Sequence, residues 1–287
     1  MTGEALSAEQ RAVSIGYLVP HEFAGVVHSV FATACNLAVA GRLVTVHDTA
    51  MSHLPTSVRL MGWAPRARVG QPARCQAGLL GFGPHRLDLR GAPVWSPSAP
   101  PTRINLAAAL SLADEVALAR LRHLAGVGGP APGLAERAED LRGWLLSRSE
   151  ARPPSVLLRL IGFGPGLTPA GDDVLVGLMS VLYRAGGESA AARAVRAAVA
   201  PELRRQAHRS TDVGAHYLRL AADGHFGEPL LGLVDALVGG HGRAVVLART
   251  RDALRVGASS GADAVGGILL GLSALGSFSS PAFTVSH

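Results

Sequence analysis

The chain has 287 residues, of which 48% are hydrophobic and 17% charged, a composition typical of a globular protein with one large or two smaller domains. All 27 basic residues are arginine, and the sequence contains no lysine. This excludes a Schiff base on a protein lysine, and it excludes a P-loop, which requires Gly-Lys-Ser/Thr. A phosphate or carboxylate ligand must therefore be held by arginine, by backbone N–H groups or by a metal.

The net charge of +6 does not indicate a nucleic-acid-binding protein, because the arginines are scattered and only 5% of the residues are aromatic. The two cysteines, Cys35 and Cys75, favour reduced cytosolic thiols over a disulfide framework. The first ten residues lack the apolar segment of a signal peptide. The most apolar window, residues 262–275, is shorter than the roughly 20 residues that span a bilayer. We therefore expect a cytoplasmic protein that binds neither nucleic acid nor a membrane.

The first third of the chain has short β-branched runs separated by glycine and proline, which predicts a small antiparallel sheet or barrel. A hairpin is expected around Gly41-Arg42. The predicted strands cover residues 13–19, 25–31, 36–40, 43–47, 58–61, 77–80 and 85–89. We assign residues 1–92 to this β-rich domain and residues 93–104 to a proline-rich linker.

After the linker the apolar spacing changes to three or four residues, which predicts a mainly α-helical domain over residues 105–287. The predicted helices cover residues 105–125, 134–148, 172–184, 190–208, 212–222, 229–238 and 261–275. The fold class predicted for the whole chain is α+β.

The most informative stretch is a loop with alternating glycines, Gly162-Phe163-Gly164-Pro165-Gly166-Leu167-Thr168-Pro169-Ala170-Gly171-Asp172-Asp173. The apolar run before it, residues 156–161, is interpreted as a strand. The glycines permit a tight turn, and Thr168 and Pro169 are typical of an N-cap and a first helical residue. Free N–H groups at such a helix start bind anions, so Gly162, Gly164, Gly166, Leu167, Thr168 and Gly171 are candidate substrate-binding residues. The alternative is a rigid turn before a charged helix start.

Two acidic residues, Asp172 and Asp173, fall in the first turn of the predicted helix. They would repel a bare phosphate unless a cation or a proton lies between, so both are candidate catalytic residues and candidate Mg²⁺ ligands. The loop is not a dinucleotide fingerprint, because Leu167 stands where the third glycine would fall and no βαβ unit follows.

A second stretch, Ser259-Ser260-Gly261-Ala262-Asp263, repeats the design about 90 residues later. When Gly171 is set on Gly261, Asp173 falls on Asp263 and Gly177 on Gly267. We expect the two helix starts to converge on one ligand, with Ser259, Ser260 and Gly261 in binding roles and Asp263 in a catalytic one. The alternative is a pair of ordinary capped helices whose glycines permit close packing.

Two weaker candidates remain. Arg209-Ser210-Thr211 lies between predicted helices and either holds an anion or caps the second helix. His28 on a predicted strand is a candidate general acid or base, although a lone strand histidine more often has a structural role. Ser29 beside it is a candidate substrate-binding residue.

The sequence of residues 161–173 resembles the hallmark of the AllH-like family, formerly a domain of unknown function. Further blocks are similar to that family, and the resemblance spans roughly residues 25–275. They are Val27-His28-Ser29-Val30-Phe31 with Asn36-Leu37, the block over residues 210–221, and Ser259-Ser260-Gly261 with Asp263. The chain departs from the expected pattern at Ala170, where a serine would supply one more hydroxyl.

The resemblance implies a subunit of a multi-subunit oxamate carbamoyltransferase in anaerobic allantoin (purine) catabolism. Such an enzyme transfers a carbamoyl group between oxalurate and phosphate, giving oxamate and carbamoyl phosphate. The implied partners are these small anions and the other subunits of the complex. Two alternatives are a non-catalytic assembly or regulatory subunit and a Mg²⁺-dependent phosphate-handling enzyme that uses the paired aspartates. The Ser-Thr-Arg-Thr motif of familiar carbamoyltransferases is absent.

Overall fold

The structure, a computed structural model, describes residues 9–147, 154–187 and 189–279. The chain divides into two compact units, Met1–Ser98 and Ala99–His287. The described part of the first unit contains one curled β-sheet, and that of the second is helical. The predicted α+β class, with the β-rich part first, is therefore confirmed.

Ten strands in the described residues form the sheet, in the order β1-β9-β8-β7-β3-β4-β5-β6-β2-β10. Neighbouring strands are antiparallel except in the pairs β1–β9, β5–β6 and β2–β10. The strands are β1 (Gln10–Arg11), β2 (Ser14–Gly16), β3 (Phe23–Val30), β4 (Ala34–Val39), β5 (Arg42–Asp48), β6 (Ser57–Leu60), β7 (Pro72–Gln76), β8 (Leu79–Phe82), β9 (His85–Asp88) and β10 (Val94–Trp95).

The sheet differs from the sequence-based strands in several places. Strand β1 was not predicted. The turn between β4 and β5 is formed by Ala40 and Gly41, which both have positive φ, one residue earlier than predicted. Strand β7 was missed because its residues, Pro-Ala-Arg-Cys-Gln, are poor in β-branched side chains. Strand β10 lies in the stretch assigned to the linker and pairs with β2.

The second unit contains ten α-helices within the described residues. They are α1 (Leu106–Ser111), α2 (Ala113–Gly126), α3 (Leu134–Leu146), α4 (Pro154–Leu160), α5 (Ala170–Arg184), α6 (Ala190–Gln206), α7 (Asp212–Ala222), α8 (Glu228–Val238), α9 (Arg243–Leu254) and α10 (Ser260–Ser279). A single 3-10 turn, Ala207–Arg209, joins α6 to α7.

Three helical predictions need correction. The apolar run before the glycine loop is helix α4 and not a strand, since a short apolar run does not distinguish the two. The helix predicted over residues 105–125 is two helices, α1 and α2, separated at Leu112. Helix α9 was not predicted, because three arginines interrupt its apolar residues. The end of the helix predicted over residues 134–148 lies outside the described residues at Arg148.

Helices α5 and α10 form the centre of the second unit, and two glycines permit their close crossing. A Cβ atom on Gly177 would stand under 3.0 Å from the carbonyl oxygen of Ala264, and one on Gly267 equally close to that of Val174. The two contacts are related by the same 90-residue offset that aligns the sequence repeat. The close packing through glycines that the sequence analysis gave as an alternative is therefore observed at Gly177 and Gly267.

Helix α10 is longer than predicted, and by length and composition it is apolar enough to cross a membrane. Most of it is buried against other helices, above all α5, as is usual for the core helix of a soluble protein. The length argument made from the sequence was therefore wrong, whereas its burial is consistent with a soluble subunit.

Candidate functional site

The glycine loop between α4 and α5 needs its glycines. Gly162, Gly164 and Gly166 have φ angles of 74°, 108° and 95°, in the region that side chains rarely adopt. A Cβ atom on Gly162 would also stand 2.5 Å from the carbonyl oxygen of Arg209. The loop therefore reverses the chain tightly and rests on the turn that precedes α7.

Asp172 holds this loop in place. One carboxylate oxygen accepts a hydrogen bond from the Gly162 N–H at 2.7 Å, and the other accepts one from the Ser210 hydroxyl. Gly214 on α7 leaves room for this pair, since a Cβ atom there would stand 2.5 Å from the carboxylate. Burial raises the pKa of Asp172, while its two hydrogen bonds lower it. Both oxygens of the Asp172 carboxylate thus accept hydrogen bonds from within the protein.

The start of α5 differs from the predicted cap. Pro169 occupies the N-cap position, and Thr168 lies one residue earlier. The Thr168 hydroxyl oxygen lies 2.6 Å from that of Ser260, the first residue of α10. The structure therefore brings together the two helix starts that the sequence repeat paired.

Two buried carboxyl groups lie beside this contact. Asp173 is 8% exposed and Asp263 is 1% exposed, and one oxygen of each, Oδ2 and Oδ1 respectively, has no hydrogen-bond partner among the described residues. Burial raises the pKa of Asp173 well above its usual range, against hydrogen bonds from Ser260 and Thr168, and the charge of Asp263 raises it further. Asp173 therefore favours its protonated form.

Asp263 has an environment of its own. Burial raises its pKa to about 6, although the guanidinium of Arg120 and the hydroxyl of Ser259 both lower it. Arg120 on α2 places Nη2 3.7 Å from Asp263 Oδ1 and donates from Nε to the carbonyl oxygen of Ala262 at 2.7 Å. The cation therefore offsets part of the negative charge at the start of α10.

The predicted Arg209-Ser210-Thr211 cluster lies against the glycine loop. Thr211 caps α7 by accepting from the Gly214 N–H at 2.9 Å, and its hydroxyl donates to the carbonyl oxygen of Leu167. The guanidinium of Arg209 is exposed and makes no hydrogen bond or ion pair with any residue that the structure describes. The cap and the anion-binding interpretations of this cluster are thus compatible.

Backbone donors remain at the tip of the loop. The N–H groups of Gly162 and Gly171 are used within the protein, by Asp172 and by the carbonyl oxygen of Phe163. Over the described chain, no acceptor is found for the N–H groups of Gly166, Leu167 and Thr168. Consecutive free N–H groups beside a helix start favour an anion.

A metal site is less well supported. No group of three or more His, Cys, Asp or Glu side chains is arranged to hold a metal ion within residues 9–147, 154–187 and 189–279. Asp172 accepts hydrogen bonds from Gly162 and Ser210. One oxygen each on Asp173 and Asp263 has no hydrogen bond in the described chain, and that of Asp263 faces Arg120. This donor set is poor for Mg²⁺, which demands octahedral oxygen coordination. The Mg²⁺ site stays a prediction, and no chemical step is derived through it.

His28 and Ser29 lie in the first unit, on β3. His28 Nδ1 is 3.1 Å from the Ser29 hydroxyl oxygen, and Asn36 Nδ2 donates to that oxygen at 3.0 Å. His28, Ser29 and Asn36 thus form one hydrogen-bonded group of polar side chains on the sheet.

Sequence reasoning missed three residues near the paired helix starts. They are Arg120, Gly214 and Tyr217, whose pKa is raised to about 12 by burial and by the charge of Asp173. Arg120 comes from a helix distant in sequence and no local pattern marks it, whereas Gly214 and Tyr217 lie within the block over residues 210–221 that resembles the family.

Two family models match the chain. The model described as oxamate carbamoyltransferase subunit AllH matches residues 160–272, which include both helix starts, and the model of the AllH family N-terminal domain matches residues 4–94. Together they cover most of the chain. No solved structure matches it.

Proposed function

The chain belongs to the AllH family, and from this premise we propose that it is the oxamate carbamoyltransferase subunit that binds the small anionic substrate. The substrates are carbamoyl phosphate or phosphate on one side and oxamate or oxalurate on the other. The pathway proposed is allantoin catabolism, in the cytoplasm, with the other subunits of the complex as partners.

The convergence of the two helix starts is the observation that carries this proposal. The hydrogen bond between Thr168 and Ser260 brings the N-terminal ends of α5 and α10 to one place. Each helix start carries partial positive charge and has unsatisfied N–H groups, so two of them favour an anion more than one does. The N–H groups of Gly166, Leu167 and Thr168, in the loop that leads into α5, have no acceptor in the described chain.

Charge at the site supports an anionic ligand despite the aspartates. Arg209 offers a guanidinium with no other partner in the described chain, and Arg120 offsets Asp263. Burial raises the pKa of Asp173, which favours the uncharged form of this group beside an anion. Protonation of Asp173 therefore supports the binding of phosphate beside the aspartates.

The proposed reaction needs positioning and one proton donor. A phosphate oxygen attacks the ureido carbonyl carbon of oxalurate, the bond from that carbon to the oxamate nitrogen breaks, and the nitrogen takes up a proton. Asp173 is the proposed donor, because its buried carboxyl group lies beside the paired helix starts and burial raises its pKa. Backbone N–H groups and Arg209 fix the phosphate for this attack.

Titration calorimetry with carbamoyl phosphate tests the proposal on the full chain. We expect Arg209→Ala to weaken binding about tenfold or more, since a hydrogen bond to a charged group contributes about 1.5–3 kcal/mol. The matched control is Arg122→Ala, which removes another exposed arginine, on α2, and should leave binding unchanged. Equal affinity of the wild type and Arg209→Ala would remove Arg209 from the site, and no binding at all would refute the proposed function.

A further inference from the structure

Polar side chains cross three strands of the first unit in one row. The register places Ser29 on β3 opposite Asn36 on β4, and Asn36 opposite Thr45 on β5. Thr45 Oγ1 donates to Asn36 Oδ1 at 2.8 Å, and Asn36 Nδ2 donates to Ser29 Oγ at 3.0 Å. The row runs from buried Thr45 and Asn36 to half-buried Ser29, whose oxygen lies 3.1 Å from His28 Nδ1.

The direction of each hydrogen bond in the row follows from the chemistry of the groups. The Thr45 hydroxyl donates to the amide oxygen of Asn36, which leaves the amide NH₂ facing Ser29 as a donor only. Ser29 Oγ therefore accepts from Asn36, and its own proton points to another acceptor. His28 Nδ1 is at hydrogen-bond distance and accepts that proton in the tautomer protonated on Nε2.

A β-bulge brings the two neighbouring side chains within reach. The register passes from Val27–Leu37 to Ser29–Asn36, so His28 is the extra residue of β3. In a regular strand, consecutive side chains point to opposite faces of the sheet. The bulge re-aims His28 so that its ring reaches the Ser29 hydroxyl, and bulges of this kind are frequent beside active sites.

We propose that Ser29 is a nucleophile with His28 as its general base, and that this pair accepts the carbamoyl group of a small activated donor. Asn36 and Thr45 are positioning residues, because they fix the hydroxyl through its oxygen. The choice of carbamoyl phosphate as the donor rests on the proposed function, whereas the reactivity of Ser29 does not.

The proposed step needs no reactant other than Ser29, His28 and carbamoyl phosphate. His28 Nδ1 takes the Ser29 proton while Oγ attacks the carbamoyl carbon, and the bond from that carbon to the phosphate oxygen breaks. Phosphate leaves with the electron pair and receives the proton from His28. In a reaction separate from the direct transfer proposed at the helix starts, an acceptor N–H group then attacks the carbamoyl-serine, and its proton returns through His28 to Ser29 Oγ.

A serine-directed fluorophosphonate probe tests the nucleophile on the full chain without any carbamoyl donor. Fluoride leaves as Ser29 Oγ bonds to phosphorus, and peptide mass mapping locates the label. We expect labelling at Ser29 in the wild type, none there in Ser29→Ala, and a rate about a hundredfold or more lower in His28→Gln. Ser111→Ala is the matched control, because Ser111 is an exposed serine whose hydroxyl donates only to a backbone carbonyl, and it should label Ser29 as the wild type does.

The outcomes separate this inference from the proposed function. An unlabelled Ser29 in the wild type, or equal labelling rates for the wild type and a folded His28→Gln, overturns the inference. Thermal unfolding shows whether His28→Gln is folded, and Asn36→Ala should lower the labelling rate in the same way. If Ser29 is labelled but calorimetry detects no binding of carbamoyl phosphate, the proposed function is refuted, whereas the inference that Ser29 is a nucleophile is supported.

Discussion

The hydroxyl oxygens of Thr168 and Ser260 lie 2.6 Å apart, although 92 residues separate them in the chain. The bond joins the starts of two helices that cross through a reciprocal pair of glycines. The same hydroxyls stabilise the carboxylate form of Asp173. One contact therefore links the two halves of the proposed anion site.

This link predicts that Thr168 and Ser260 act together in ligand binding. Thr168→Val and Ser260→Ala each remove the same hydrogen bond, so each should weaken carbamoyl phosphate binding, and the double variant should lose little more than either single variant. In a double-mutant cycle, the interaction free energy between two residues in contact is typically about 0.5–3 kcal/mol. Calorimetry on the four proteins gives the coupling free energy, and strictly additive losses would show that the hydroxyls act independently.

The glycine crossing of α5 and α10 predicts a large loss of stability in Gly177→Ala. The added methyl group would overlap the backbone of α10 at Ala264, which has no flexible side chain to move aside. We expect the free energy of unfolding in urea to fall by several kcal/mol.

Gly143→Ala is the matched control for this variant. Gly143 lies in α3 with open space around it, so alanine there should stabilise the protein by about 0.5–1 kcal/mol. Equal effects of the two substitutions would contradict the close crossing.

The tether formed by Asp172 predicts that Asp172→Ala loosens the glycine loop. The substitution leaves the half-buried Gly162 N–H and Ser210 hydroxyl without their acceptor, which costs at most about 1–3 kcal/mol for each group. The unfolding free energy and the affinity for carbamoyl phosphate should both decrease. A variant that binds as tightly as the wild type would show that the tether does not position the loop.

The raised pKa of Asp263 leads us to expect that the stability of the protein depends on pH. Its pKa is about 6 in the folded chain and about 3.9 in an unfolded one, so the folded state holds its proton more tightly. The stabilising effect of protonation is complete below about pH 4 and is lost as the pH rises through 6. The loss amounts to about 3 kcal/mol.

The difference in unfolding free energy between the wild type and Asp263→Asn isolates this effect from other titrating groups. As the pH rises from 4 to 7, the wild type should lose stability relative to the variant, which cannot titrate at this position. Urea unfolding at several pH values gives the difference. A difference that stays constant over this range would show that Asp263 has an ordinary pKa.

The parts of the fold and site that local chemistry determines were predictable from the sequence. Glycines at alternate positions required positive φ, the two aspartates fell in a first helical turn, and the repeat from Gly171 to Gly261 marked two helices that cross. The repeat was informative because each helix needs a glycine where it contacts the backbone of the other, Gly177 in α5 and Gly267 in α10.

The remaining features depended on tertiary contacts. The apolar residues before the glycine loop suit a buried strand or a buried helix equally, and only packing decides for α4. The role of Asp172 depended on Ser210, which lies 38 residues later, and the role of Thr168 depended on Ser260. Such partners cannot be read from spacing within one element.

The most direct test of the proposed site follows the backbone amide signals during a titration of the isotopically labelled full chain with carbamoyl phosphate by nuclear magnetic resonance. The account predicts that Gly166, Leu167 and Thr168 at one helix start, and Ser259 and Ser260 at the other, shift together with a single dissociation constant. Shifts at only one helix start, or different dissociation constants at the two, would contradict the claim that both form one anion site.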